Sequence, residues 1–422
     1  MAYTTFQVGR YRLHMRSGST TAWRWKALLY LYEERTGLPH RGEPPDPPPR
    51  ATVLFTDVRP LPAPTSGRSL SMWFAAEMLP NVMDMLRHDK PVYVISEAAG
   101  GGVAAGFTQL QAEQLDPGEV TVRIAYASIN YKDALAASGK APIIRRFPCV
   151  GGIDAAGTVE SSTSPRFKAG DVVVVHSHGF GVSHHGGYAQ KARVPADWVN
   201  LVPSHMGALE AVTIGVAGYT AALAFVLMEH NGLKPGAGKV LVNGASGGVA
   251  SIAIDILAQH GYEVVAATRK TAEREYLYEL GASEVIDAAT LGVGRRPLES
   301  ALWQGAVDSL GGAALAGLTR TMQRDGVIAS IGNAMGVEFS TTVMPFILRG
   351  VRLIGVNSDN DPALRAHLWH RLATDLRPRH LAAVAHVRPF DELPAMIDAV
   401  AGGRVKGRTV IAVDPSAATA TR

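Results

Sequence analysis

The stretch "VLVNGASGGVASIAIDILAQHGYEVVAATRK", Val240 to Lys270, decides how the chain is read. It opens on an apolar run, turns through Gly244, Gly247 and Gly248, continues with helical spacing, and closes on a second apolar run ending at Thr268, Arg269 and Lys270. Strand, glycine turn, helix and second strand form the unit that cradles a dinucleotide pyrophosphate. Glycines let backbone N–H groups reach the phosphates, and the helix N-terminus adds partial positive charge. Ala250 fills the third fingerprint position, where a methyl group is tolerated because the task there is close helix-to-strand packing. A cofactor with a free ribose 2′-hydroxyl usually meets Asp or Glu at the end of the second strand. Here a hydroxyl and two cations stand in that place, which suits a 2′-phosphate and favours NADPH over NADH. The alternative reading of Thr268 to Lys270 is a solvated basic loop.

Downstream, "EVIDA", "AVDSLGG", "GVIASIG" and "VRLIGVN" read as further buried strands separated by segments of helical periodicity. Such alternation predicts a parallel sheet covered on both faces. Upstream, from about Pro91 to about Ala217, short strand-like runs such as "VTVRIAYASIN", "AAGTVESS" and "AGDVVVVHSH" are punctuated by Gly and Pro, which predicts a compact β-rich domain. Residues 1–88 differ from both. "HRGEPPDPPPR" is a proline-rich break, so this extension is expected to be poorly ordered or marginally packed, with a docking arm or lid as the bolder reading. Within it, "TTAWRWKALLYLYEERTG" is expected to form one short amphipathic helix with Leu28, Leu29, Leu31 and Tyr32 on its apolar side. The tail, "AAVAHVRPFDELPAMIDAVAGGRVKGRTVIAV", ends in strand-like character suited to a return to the first domain.

Composition narrows the class. A chain of 422 residues, 47% hydrophobic and 18% charged, can bury a large core spread over two or three domains. The formal charge of +4 comes from 41 basic and 37 acidic residues without a long basic run, which makes no case for nucleic acid. The single cysteine, Cys149, excludes an intramolecular disulfide framework and any Cys-rich zinc lobe, and fits a reducing cytoplasm. No uninterrupted apolar segment approaches the roughly 20 residues that span a bilayer, and no apolar leader follows the N-terminus. A soluble cytoplasmic protein without a membrane partner is the expectation.

"SINYKDALAASGK" and "FPCVGGIDAAGTVE" carry the remaining chemistry. Asn130, Tyr131, Lys132 and Asp133 follow a predicted strand and Asp154 sits in a glycine-rich bend, so all could line one cleft. A hydride-transfer site needs a substrate carbonyl held and polarised, a task for such amides, hydroxyls and charges. Each of these residues taken singly reads equally well as a hydrogen-bonder that stabilises a turn.

The motifs "INYKDAL", "IIRRFP", "GGIDAAGTVE", "PRFKAGD", "HHGGYAQKARV", "GASGGVASIA", "EYLYELGAS" and "TTVMPFILRGVRLIGV" run in order across about four-fifths of the chain. They resemble the medium-chain dehydrogenase/reductase superfamily, in its zinc-independent acrylyl-CoA reductase, or quinone-oxidoreductase-like, branch. The resemblance implies an α/β fold with four parts. An extra N-terminal segment covers residues 1–88 and a GroES-like β-rich catalytic domain residues 89–217. A Rossmann doubly wound NADPH-binding domain covers residues 218–357, and residues 358–422 return to the catalytic domain.

The resemblance also implies NADPH, reduction of an activated carbon–carbon double bond conjugated to a thioester or ketone, with an enoyl-CoA as the expected substrate, and a homodimer. It places Asn130, Asp133, Asp154 and Arg408 in the active cleft. Tyr131, Ser246, Gly247, Gly248, Val249, Thr268, Arg269 and Lys270 would contact the cofactor, with Ile331, Gly332, Asn333, Ile347 and Ser358 along its nicotinamide half. No metal is expected: a catalytic zinc needs a Cys after the first strand and a His-Glu pair in the glycine bend, where this chain reads "NYKDAL" and Gly152-Ile153-Asp154.

His176, His178, His184 and His185 read as loop and cleft residues, and Cys149 as a small buried side chain. Arg145 and Arg146 are either contacts for CoA phosphates or a solvated surface pair. Departures from the pattern fall on pocket walls: Gly151 replaces Pro, and His178 and His185 replace tryptophans of "GWG" and "HWGG". By resemblance, acrylyl-CoA reduction is the leading expectation. A quinone or small-enone reductase is its rival, and a non-catalytic NADPH-binding sensor or partner protein the reading from another class.

Overall fold

The computed structural model of the chain describes residues 94–96, 105, 106, 110 and 114–418 other than 292 and 293, together with the strand backbones before them. Contacts divide the chain into two units, residues 1–93 with 97–111, and residues 94–96 with 112–422.

In the first unit the backbone forms five strands: β1 (Tyr3–Val8), β2 (Tyr11–Arg16), β3 (Ala27–Glu33), β4 (Ala51–Thr56) and β5 (Leu70–Ala75). They lie in sequential order, antiparallel except for the parallel last pair. The helix expected around Leu28, Leu29, Leu31 and Tyr32 is therefore corrected: these residues belong to β3, antiparallel to β2. A short apolar run rich in Leu and Tyr satisfies either period, and a pairing partner decides for the strand. The other expectations for residues 1–88 lie outside the described residues. Two strands follow, β6 (Val92–Ala98) and β7 (Gly102–Thr108).

The β-rich half of the second unit is built around β8 (Val120–Ile129), whose burial alternates at first and becomes continuous toward its carboxyl end. After β8 come α1 (Tyr131–Ser138), β9 (Cys149–Val150), β10 (Asp154–Ser162), β11 (Val172–His176), β12 (Lys191–Val194) and β13 (Val199–Leu201). β9 pairs with Val94 and Ile95 of β6. The sheet runs β13-β11-β10-β8 and then crosses to the far end of the chain.

α2 (Ala208–His230) leads out of this half, and the second half alternates strands and helices. These are β14 (Lys239–Asn243), α3 (Gly248–Gln259), β15 (Val264–Thr268), α4 (Arg274–Glu279), β16 (Glu284–Asp287), β17 (Trp303–Asp308), α5 (Gly312–Thr321), β18 (Met322–Ser330), α6 (Met344–Arg349) and β19 (Arg352–Gly355). All pairings are parallel, in the order β16-β15-β14-β17-β18-β19. Val240 and Val242 of β14 enter one core cluster and Leu241 another, as expected where both faces of a sheet are covered. Strand order reverses between β14 and β17, and the carboxyl ends there form the crevice in which such sheets bind ligands.

The chain closes with α7 (Pro362–Ala373), α8 (Leu381–Val384), β20 (Ala385–Pro389), α9 (Leu393–Ala401) and β21 (Arg408–Ala412). β21 pairs antiparallel with β8, Thr409 opposite Ile129, and so delivers Arg408 to the end of β8.

α2 amends one expectation. At 23 residues with a mean hydropathy of 1.9 it is long and apolar enough to cross a membrane, but 83% of its most apolar window is buried within the protein. It packs on β8, β10 and β11 on one side and on α3 and β18 on the other. An element covered on both sides has no polar face, so a membrane-like composition is what its position demands.

Candidate active site and cofactor turn

The carboxyl end of β8 carries Ser128 and Asn130 two residues apart, on one face of the strand. Asn130 caps α1, and Asp133 in its first turn accepts from the Asn130 backbone N–H at 2.9 Å and from its Nδ2 at 3.3 Å through Oδ2, while Oδ1 accepts from the Ile153 N–H at 3.0 Å. Asp154, at the start of β10, accepts from Asn130 Nδ2 at 3.2 Å and from the Ser128 hydroxyl. Its other oxygen accepts from the Val216 N–H at 3.1 Å and from Arg408 Nη2 at 3.0 Å. Arg408 also donates through Nη1 to Asn130 Oδ1 at 2.7 Å, through Nε to the Thr213 carbonyl at 3.1 Å, and through Nη2 to the Ser128 hydroxyl oxygen. The four expected cleft residues thus form one hydrogen-bonded network, with Asp154 fully buried and Asp133 and Arg408 nearly so.

Sequence reading missed Ser128, Thr213 and Val216. The two-residue spacing of Ser128 and Asn130 was the available signal for the first. The other two depend on Gly215, which breaks α2 at φ 45° and ψ −150° and turns the next N–H toward Asp154.

Burial and the neighbouring Asp154 carboxylate push the Asp133 carboxyl up to about 7, against the N–H donors around it. An acid whose folded value is raised holds its proton while the unfolded chain has already lost its own, so stability falls as pH climbs from the ordinary carboxylate range to the raised value. The stability advantage of the native protein over Asp133→Asn should therefore be largest at and below about pH 4, shrink as pH rises to about 7, and stay flat beyond. Urea unfolding of both proteins at each pH checks this; an advantage independent of pH would refute the raised carboxyl.

The glycine turn lies against the same network. Gly244 has φ 60°, α3 begins at Gly248, and the Gly407 N–H donates to the Ser246 carbonyl at 2.9 Å. A Cβ on Gly248 would stand 2.7 Å from Arg408 Cδ, so this glycine admits the arginine. At Gly247 an added Cβ would meet only the Gly244 carbonyl oxygen, at 3.2 Å, so this side of the turn has room for a phosphate at a helix N-terminus. At the end of β15, Thr268 is buried and its hydroxyl oxygen accepts from the Lys270 N–H at 3.0 Å. Lys270 Nζ donates to the Val405 carbonyl, while Arg269 is exposed. Desolvation draws the Lys270 ammonium below its ordinary value.

The remaining expected residues are dispersed. Tyr131 is 39% exposed at the start of α1. The Ile331 N–H donates to the Asp308 carbonyl at 2.9 Å, which sets the loop through Gly332 and Asn333 beside the switch point. Ser358 follows β19, half-buried. Ile347 lies on α6, which packs against β18, and is 68% exposed there.

Both arginines are exposed, but Arg146 is already engaged: Nη2 donates to the buried Asp116 at 2.7 Å and Nη1 to its other oxygen. The four histidines part company. His176 is fully buried and accepts from Trp369 Nε1 at 3.0 Å, His178 pairs with Asp359, His184 Nε2 bonds the Arg193 carbonyl at 2.7 Å, and His185 Nδ1 accepts from the Val150 N–H. Cys149 is buried, and desolvation pushes its thiol up to about 12, which makes it inert.

A β-rich domain whose buried polar network abuts a dinucleotide turn defines a nucleotide-dependent oxidoreductase of two halves. The families described as alcohol dehydrogenase GroES-like domain and zinc-binding dehydrogenase match residues 116–204 and 248–374. Despite the second description, no group of three or more His, Cys, Asp or Glu residues among the described residues is arranged to hold a metal ion. The chain is 42% identical over 323 residues to acrylyl-CoA reductase AcuI of Ruegeria pomeroyi, covering 76% of this chain and 98% of that one. Among solved structures, the yhdH oxidoreductase of Salmonella enterica in complex with NADP is 41% identical with a TM-score of 0.74, covering 77% of this chain and all of the other. Bacillus subtilis yhfP with NAD bound is 40% identical with a TM-score of 0.71, covering 76% and 99%. The chain belongs to the medium-chain dehydrogenase/reductase superfamily, in its zinc-independent acrylyl-CoA reductase branch.

Proposed function

We propose that this chain is an NADPH-dependent reductase of the activated carbon–carbon double bond of an enoyl-CoA, with acrylyl-CoA or a close relative as substrate and propanoyl-CoA as the product from acrylyl-CoA. The observation that carries the proposal is the double engagement of Arg408, which joins the Asp154 network to the glycine turn. NADPH, when bound, supplies a hydride to the β-carbon. Ser246 to Val249 would hold its pyrophosphate, and Thr268 to Lys270 its 2′-phosphate.

The protein's own task is to hold the thioester carbonyl and stabilise the negative charge that develops on its oxygen. All three Arg408 nitrogens and the Asn130 amide already have partners. They act by fixing geometry and by field, while Tyr131 presents its side chain at the first turn of α1. Conjugate reduction suits such a frame because the charge spreads over an enolate. Turnover of acrylyl-CoA, crotonyl-CoA and a simple quinone at equal NADPH tests the reading: a clear preference for an enoyl-CoA supports it, and a large preference for the quinone overturns it.

The cofactor assignment rests on the end of β15. Replacing both Arg269 and Lys270 with Ala should weaken NADPH binding roughly 10- to 100-fold, the scale of one charge-assisted hydrogen bond. NADH binding should change far less. Fluorescence titration with both nucleotides checks this, and equal losses would return the segment to a solvated loop.

A homodimer in the cytoplasm completes the proposal. Val337, Val343, Ile347 and Leu348, between 56% and 78% exposed, lie in the segment between β18 and the edge strand β19, a combination suited to a subunit contact. Light scattering that gives a monomer mass at micromolar concentration would exclude it.

A further inference from the structure

Conjugate reduction also requires a proton at the α-carbon, a task so far assigned to none of the groups above. The histidine loop holds a candidate that no resemblance supplies. Ser177 and His178 both adopt positive φ, 68° and 57°, a conformation that non-glycine residues hold only when their surroundings impose it. His178 Nδ1 lies 2.7 Å from Asp359 Oδ1, and its ring stacks on Trp198 with centroids 5.8 Å apart and planes at 20°. Its Nε2 is buried without a hydrogen-bond partner. An imidazole oriented through one nitrogen by a carboxylate, with the other nitrogen uncommitted, is the arrangement of a general acid or base.

The location fits. His178 lies two residues beyond His176, which is the register partner of Asp154 in the β10–β11 pair. Asp359 stands on the loop after β19, at the carboxyl edge of the parallel sheet. The dyad therefore joins the loop after β11 in one half to the loop after β19 in the other.

We propose that His178 is the proton donor of the reduction, with Asp359 as its positioning residue; this rests on the enoyl-thioester reading above. As hydride adds to the β-carbon, the double-bond pair moves to form the thioester enolate. The enolate then takes the proton from His178 Nε2: that N–H bond breaks as the α-C–H bond forms, and the neutral imidazole is recharged from water. NADPH is oxidised to NADP+ and the acyl group gains one hydride and one proton, so the step balances.

The charged and titratable groups around His178 are Asp359 after β19, Asp197 in the turn before β13, Arg365 on α7 and His176 on β11. Burial and Arg365 lower its affinity for a proton, and the two carboxylates oppose them. The donor must be imidazolium, so turnover should be present below its titration and lost as pH rises through it.

The test is the pH profile of kcat for acrylyl-CoA reduction by the full chain, compared among native protein, His178→Phe and Asp359→Asn. The expected result is that His178→Phe lowers kcat by about 100-fold or more, the scale of general-acid catalysis. Its NADPH affinity should be unchanged and the alkaline fall of kcat lost. Asp359→Asn should shift that fall to lower pH, an effect that a purely structural contact would not produce. Equal kcat in native protein and His178→Phe, or a profile unmoved by either change, overturns the assignment. Absence of enoyl-CoA turnover in native protein would instead overturn the reading beneath it.

Discussion

Arg408→Met is expected to destabilise the protein by about 3–5 kcal/mol, the usual consequence of removing one partner from a buried ion pair. Asp154 is fully buried and Arg408 is 3% exposed, so solvent cannot replace the guanidinium. Three further acceptors lose their donor at once: Ser128 Oγ, Asn130 Oδ1 and the Thr213 carbonyl. Turnover should drop by at least 100-fold, because Asn130 is no longer held and the gap left beside Gly248 loosens the cofactor turn. The double variant Arg408→Met with Asp154→Asn should recover part of the lost stability and none of the turnover, since it removes the stranded charge and leaves the geometry broken. Urea unfolding and steady-state kinetics on the single and double variants read the two effects separately. A single variant within about 1 kcal/mol of native stability would mean that the network does not carry the pair's charge.

Local patterns made the dinucleotide half legible. β14, the glycine turn, α3 and β15 follow one another within Val240 to Lys270, and each announces itself by period or by glycine. The β-rich half was legible as strands, but its pairing was not. β8 takes β10, β12 and β21 as neighbours, and β21 arrives from the far end of the chain. Asn130 and Arg408 are 278 residues apart, so no spacing rule could have joined them; their expected meeting came from resemblance.

Where neither period nor resemblance spoke, tertiary partners decided. Arg146 is a surface residue as its sequence suggested, but one bound to the buried Asp116, and His178 looked like a lost tryptophan until Asp359 met it. The run Ala27–Glu33 satisfied a helical count but lies in a sheet, because pairing edges are invisible in a single segment. The apolar α2 escaped notice as a long span because Glu210 and the glycines at 215 and 218 interrupt it, yet burial on both sides is what its composition serves.

Gly215→Ala should abolish turnover while leaving the cofactor bound, and the reason is geometric. At φ 45° and ψ −150° an L-residue is strained by roughly 1–3 kcal/mol wherever it stands. Here the added Cβ would also lie 2.3 Å from Asp154 Oδ2 and 3.1 Å from Arg408 Nη2. Neither side chain can yield freely, since Asp154 takes four hydrogen bonds and Arg408 gives four. Relief therefore has to come from straightening α2, which swings the Val216 N–H away from Asp154 and undoes the network that Arg408 completes. The glycine turn belongs to β14 and α3 and does not contain the kink, so NADPH affinity should change by less than about threefold, under 1 kcal/mol. Gly355→Ala, where a Cβ meets nothing within 4 Å, serves as the control and should stay within about 0.5 kcal/mol of native stability. Nucleotide titration, unfolding and acrylyl-CoA turnover on the two variants separate the outcomes. Full turnover in Gly215→Ala would show that the kink is incidental to the catalytic frame.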